Sequence, residues 1–288
     1  MDDIIQEFVI ALASERKSSK NTLGAYRTDL RQLSAFLVKR QITTWAAVTT
    51  KDISEFALDL REHHYAPTSI ARKVAALKSF FHFLQSNHQI EIDPTEDIQA
   101  PRVEKDLPHA LSPDEVEQLF AVVQATSGAG QRDLAMLHTI YSTGMRVTEL
   151  VSLNTVHVDL ARGHVRCNGH NHKERVLPLS LPAQNALSSY MDGYRQFLLR
   201  ESHEPALFLN HHGQRLTRQG FWLIIKGYAR AAGIENITPH TLRHSFALDM
   251  LGRGMELRSV QELLGHANIS TTHVYKQLRR QQQLVSVP

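Results

Sequence analysis

Cysteine is nearly missing: the 288 residues hold one, Cys167. A single thiol forms no internal disulfide and is a poor basis for a metal centre, which fits a reducing compartment. Long apolar runs are missing too. No stretch reaches the roughly 20 apolar residues that cross a bilayer. The opening MDDIIQEFVIALASERK carries acids where a secretory signal carries bases. The expectation is a soluble, cytoplasmic chain with no membrane partner. Internal repeats and low-complexity tracts are absent. Charge of one sign is scarce: Lys and Arg number 32 against 29 Asp and Glu, for a formal net charge of +3. That excess points only weakly to nucleic acid.

Apolar residues make up 42% of the chain, and its length suits two cores rather than one. Helical spacing recurs early. Ile4, Ile5, Phe8, Val9 and Leu12 share a face, as do Leu23, Tyr26, Leu30, Leu33 and Leu37. A third helix places Ile70, Val74, Leu77, Phe81 and Leu84 together, with Thr68 or Ser69 as its cap. The three prolines of DPTEDIQAPRVEKDLPHA then break the period. The expected division is a helical domain over 1–88, a linker over 89–110 and a second domain over 111–288. Ser112, Pro113 and Glu115 form a helix start with a capping box. HVRCNGHNHKERVLPL predicts a hairpin turning around Gly169 and Asn171, and ALFLN a further short strand. Residues 220–234 predict a helix closed by Gly233.

Three segments could carry chemistry. In YSTGMRVTEL, Ser142, Thr143 and Gly144 suit a helix start, which puts Arg146 in a first turn where an anion is favoured. Glu149 could hold the guanidinium from one turn on; a surface ion pair is the plainer reading. In TPHTLRHSFALDML, His240 and Arg243 share a face, while Leu242, Phe246 and Met250 hold another face to the core. His240 and His244 could be a metal pair, but an intervening arginine disfavours a cation. In SVQELLGHANISTTHVY, Gly265 can end a helix with a left-handed cap, His266 follows it, and Tyr275 sits in a short helix capped by Ser270 or Thr271. Together, two arginines and up to two histidines could surround a phosphodiester, with a phenol nearby as nucleophile. A free phenol titrates near 10 and needs a proton acceptor. No metal, ATP or other cofactor is called for.

The ordered set TGMRVTEL, HTLRH and LLGHANISTTHVY resembles the tyrosine site-specific recombinases of the phage integrase family, closely the Xer type; NTLGAYRTDLRQLSAFL resembles their N-terminal DNA-binding domain. The resemblance covers nearly the whole chain. It implies a mainly α fold with a small β-sheet in the catalytic domain, the two domains forming a C-shaped DNA clamp. It implies a double-stranded DNA target, a 3′-phosphotyrosine intermediate and a Holliday junction. It further implies a homo- or hetero-tetramer on DNA, joined in some cases by a paralogous recombinase. By position, Arg146, His240, Arg243, His266 and Tyr275 form the catalytic set, with His244 structural. The family's hairpin lysine is replaced: GHNHKER holds His170 at its position, and Lys173 is the nearest lysine. Lys173 or His170 would supply the leaving-group proton; His170 and His172 could instead bind a metal. Phosphate contacts are expected from Lys17, Lys20, Arg27, Arg31 and Arg72, with a solvated basic face as the alternative. The tail RRQQQLVSVP offers Leu284 and Val285 as anchors on a neighbouring protomer. The competing functions are a catalytically impaired DNA-binding protein and a metal-dependent nuclease. The recombinase itself would serve either chromosome-dimer resolution or a mobile element.

Overall fold

A computed structural model describes residues 1–15, 20–101, 109–168, 174–199 and 203–265, together with 272, 274, 275 and 278. The chain divides into two compact units, Met1–Lys105 and Asp106–Pro288. No described helix is long and apolar enough to cross a membrane.

Among the described residues, the first unit holds four α-helices: α1 (Asp2–Glu15), α2 (Lys20–Lys39), α3 (Thr50–Glu62) and α4 (Pro67–Ser86). The apolar stripes read from the sequence meet in one core containing Ile5, Phe8, Leu30, Leu33, Leu37, Phe56, Leu77 and Phe81. Trp45, on a short turn between α2 and α3, stacks edgewise on Phe80 and Phe81. Helix α4 begins two or three residues earlier than its polar residues suggest. Ala66 is its N-cap and Pro67 its first residue, so the preset φ of proline outweighs the missing side-chain cap. Ile90 and Ile98, from the stretch read as linker, pack on this core.

The second unit holds α5 (Pro113–Ala121), α6 (Gly128–Thr143), α7 (Val147–Ser152), α8 (Leu181–Asp192), α9 (Tyr194–Leu199), α10 (Arg218–Ala231), α11 (Pro239–Gly252) and α12 (Leu257–Leu264). Ser112 caps α5 with the expected reciprocal bonds to Glu115. An antiparallel sheet, ordered β1 (Val158–Asp159), β2 (His164–Asn168) and β3 (Glu174–Pro178), lies between α7 and α8 in sequence. In the predicted hairpin, Val165 opposes Leu177 and Cys167 opposes Arg175. The segment ALFLN is not a strand: Ala206 and Leu209 make single bridges to Asn154 and Arg215. Buried Arg195 occupies the Ala206 and Leu207 carbonyls, taking acceptors that a ladder would use. Gly233 has φ +70°, which closes α10 as expected. Helix α6 buries Ala135, Met136, Leu137 and Ile140 in the main core, and Leu242 reaches the same core from α11. A satellite core joins Phe246, Leu248 and Leu251 of α11 to Val260, Leu264 and Tyr275.

Candidate active site

The segment YSTGMR turns a corner rather than opening a helix. Ser142 and Thr143 end α6, and Gly144 caps it at φ +60°. A Cβ there would lie 2.2 Å from the Phe246 ring, so both conformation and packing require glycine. Arg146 is accordingly the N-cap of α7, just outside the first turn where the sequence placed it. Its backbone N–H donates to Glu149 Oε2 at 2.7 Å and its Nη1 donates to Oε1 at 3.1 Å. The expected Arg146–Glu149 hold is therefore present.

Arg243 comes from the buried side of α11 and is 3% exposed. Its two terminal nitrogens donate at 2.6 Å to the carbonyls of Gly144 and Leu264. Burial lowers its pKa to about 10, and the charge of Arg146 adds to the effect. His240 stands one turn earlier on α11. Partial burial lowers its pKa, followed by the charges of Arg243, Arg218 and Arg146. Arg146, His240 and Arg243 line one cavity of about 510 Å³, together with Val147, Thr148, Arg218, Gln219, Trp222 and Pro239.

Tyr275 is helical, 2% exposed and part of the satellite core. Its hydroxyl lies 2.8 Å from Nδ1 of His244, one turn along α11 from His240. Burial raises its pKa, and Arg243 pulls the other way. Burial also lowers His244 to about 4, helped by His240 and Arg243, so its ring is neutral at neutral pH. Tyr275 is not among the residues lining the cavity. His244, read from sequence as structural, is thus the hydrogen-bond partner of the candidate nucleophile. The i, i+4 step from His240 was the signal that could have shown it.

Arg175 was not anticipated. It donates from β3 to both oxygens of Glu149, at 2.9 and 2.8 Å. Burial alone would push the Glu149 carboxyl up. The bonds from Arg175 and from the Arg146 backbone, with both charges, hold it below its usual value. The alternation of β3 carried the signal: Arg175 sits in register with inward Leu177, and a charged residue at such a position requires a partner.

His266, His170, His172 and Lys173 lie outside the described residues, as do Ser270, Thr271, Leu284 and Val285. Lys17 also lies outside them, and the side chain of Lys20 is not described. Arg31 is exposed, 3.8 Å from Asp2. Arg72 pairs with buried Asp29, which Lys73 also contacts at 2.8 Å. Arg27 has a buried Nε without a partner among the described residues. No group of three or more His, Cys, Asp or Glu able to hold a metal occurs among the described residues.

A phage integrase family model matches residues 109–282, and a phage integrase N-terminal SAM-like domain matches 5–88. The chain is 50% identical over 276 residues to tyrosine recombinase XerC of Herpetosiphon aurantiacus, covering 96% of this chain and 90% of that relative. It is 44% identical over 278 residues to tyrosine recombinase XerD of Listeria monocytogenes, covering 96% and 94%. Among solved structures, it shares the fold of the XerH site-specific recombinase bound to palindromic difH substrate in a post-cleavage complex. That match has a TM-score of 0.74 and 18% identity, and covers 99% of this chain and 94% of the other.

Proposed function

The chain belongs to the phage integrase family of tyrosine recombinases, and on that premise we propose that Tyr275 is the nucleophile that cuts and rejoins its DNA. The enzyme is a site-specific recombinase acting on double-stranded DNA. The observation that carries the reading is the convergence of Arg146, His240 and Arg243 on one cavity, with the Tyr275 hydroxyl bonded to His244, one turn along α11 from His240.

The chemistry follows from those groups. The phenolic oxygen attacks phosphorus, the P–O5′ bond breaks, and a 3′-phosphotyrosine forms. The phenol proton leaves to an acceptor, and the departing 5′ oxygen gains one from a hairpin donor, Lys173 or His170. Arg146 and Arg243 neutralise the charge that builds on the non-bridging oxygens, and neutral His240 donates a hydrogen bond to one of them. His266, next in sequence after Gly265, completes the set. Attack by a 5′ hydroxyl from a second duplex reverses the step and yields a Holliday junction. One phosphoester replaces another at each step, so the exchange needs no outside energy source. Strand exchange between two duplexes calls for four protomers, of this chain alone or with a paralogous recombinase, in the cytoplasm. Chromosome-dimer resolution and element integration would both use this chemistry. Contacts from Lys17, Lys20, Arg31 and Arg72 would add affinity for phosphates without reading sequence. The impaired-protein alternative is not favoured, because the relatives similar to nearly the whole chain are tyrosine recombinases.

The test is a nicked duplex carrying the target site, incubated with the full chain and a chelator. A covalent protein–DNA adduct is expected, and Tyr275→Phe should form none. An adduct that persists in Tyr275→Phe sinks the assignment.

A further inference from the structure

Three guanidinium groups meet at the C-terminus of α12, and only two belong to the set assigned above. Arg175 Nε donates to the carbonyl of Leu263 at 3.1 Å. Arg243 takes that of Leu264 at 2.6 Å, and Arg146 that of Gly265 at 3.2 Å. Three successive carbonyls thus receive three arginines from three different elements. The free end of Arg175 closes as a two-pronged fork on Glu149. Its side chain is 14% exposed and that of Glu149 is 7% exposed, so the pair is largely shielded from water.

We infer that Arg175 is a positioning residue of the cleavage reaction, holding Glu149 and the end of α12 so that Arg146 meets the scissile phosphate with its charge uncancelled. This rests on the recombinase reading above.

Charge makes the first argument. Arg146 with Glu149 alone is a neutral pair; Arg175 turns the trio into a net cation, and Arg243 adds a second positive charge. A phosphodiester under attack gains negative charge, so a cancelled Arg146 would stabilise it little. Geometry makes the second. Glu149 Oε1 is shared between Arg146 Nη1 and Arg175 Nη1, and Oε2 between the Arg146 backbone and Arg175 Nη2. Anchored on both oxygens, the carboxylate cannot turn to take Arg146 as a two-pronged partner. Of the five N–H donors of Arg146, the described contacts engage two, leaving the others for substrate. Close packing makes the third. A Cβ on Gly265 would stand 2.9 Å from Arg175 Nη1, so the fork lies directly against the residue that precedes His266. Lysine cannot replace it, because one ammonium does not span a carboxylate and a carbonyl in a plane.

The test is a double-mutant cycle in the full chain: Arg175→Met, Arg146→Lys and both, read as single-turnover cleavage of a nicked duplex at saturating protein. Arg175→Met should slow cleavage on the order of 10- to 100-fold, somewhat less than the loss of a whole oxyanion donor. In the Arg146→Lys background the same change should cost under about threefold, because its target is already gone. DNA affinity in a gel shift should stay within about threefold. Equal losses in both backgrounds, or no loss, overturn the inference: Arg175 then only supports the fold. If Arg146→Lys leaves no measurable cleavage, Arg175→Met is compared on a methylphosphonate at the scissile position, which lacks one charged oxygen. The loss should be smaller there than on phosphate, and an equal loss overturns the inference. If Arg175→Met fails to melt cooperatively, Arg175→Lys takes its place under the same criteria. Failure of the wild-type chain to form any adduct sinks the recombinase reading itself, a separate outcome.

Discussion

Replacing Glu149 by glutamine keeps its shape and removes its charge. The carboxylate accepts four hydrogen bonds, one from a backbone N–H and three from guanidinium groups. Glutamine would offer one oxygen and turn an N–H₂ toward donors, leaving Arg146 and Arg175 without a countercharge. Removing one partner of a buried ion pair costs about 3–5 kcal/mol. Arg146 is about a third exposed, so water screens part of its charge and places the cost near 3 kcal/mol. For a cooperative unit the size of Asp106–Pro288, each kcal/mol moves Tm by about 2–4 °C. A fall of about 6–12 °C at neutral pH is expected for the catalytic transition in calorimetry of the full chain. The pH dependence has a definite sign. The carboxyl of Glu149 is held below the ordinary glutamate value of 4.5, so its ion-pair stability is complete above that pH and is lost on further acidification. The gap between wild type and Glu149→Gln should therefore close in acid. A fall under about 2 °C, or a gap unchanged in acid, would show that the Glu149 bonds carry no net energy.

Three further outcomes follow from the same geometry. His244→Ala removes the bond on the Tyr275 hydroxyl, worth about 0.5–1.5 kcal/mol, and should free the phenol so that adduct forms about 2- to 10-fold faster; slower adduct formation at neutral pH would mean that His244 takes the phenol proton instead. Gly144→Ala places a methyl against Phe246 at positive φ beneath the Arg243 anchor, and should cost more than about 2 kcal/mol in denaturant unfolding. Because Arg218 helps hold the pKa of His240 below 6.5, Arg218→Ala should move the acid limb of the pH–rate profile to higher pH; a shift to lower pH would contradict the neutral role given to His240.

Most of the first unit was legible because its helices bury continuous stripes, and periodicity reports burial directly. The hairpin was legible for the same reason at period two, with Val165 and Leu177 inward. Arg146, His240 and Arg243, which line one cavity, were singled out by combining motifs, since each alone reads as an ordinary surface or helix residue. Helix α3 escaped despite a local signal, the Thr49–Asp52 capping box ahead of Ile53, Phe56 and Leu60; in the candidate site, what escaped was non-local. The Arg175 fork depends on strand register bringing β3 to the end of α12, 88 positions away. The bond between His244 and Tyr275 spans 31 positions and depends on a ring that fills a core. The early start of α4 escaped because proline needs no side-chain cap, and ALFLN read as a strand because burial without pairing has the same composition.

The end of α12 has one more consequence. Aligned peptide dipoles leave a helix C-terminus with about half a negative charge. Here that pole lies among three cations that would otherwise push one another apart. The fold thus supplies from its own backbone part of the negative charge that a bound strand would bring in the proposed reaction. These three contacts tie the guanidinium groups to one helix end, so a phosphate bound there, as the proposed reaction requires, would meet donors already gathered.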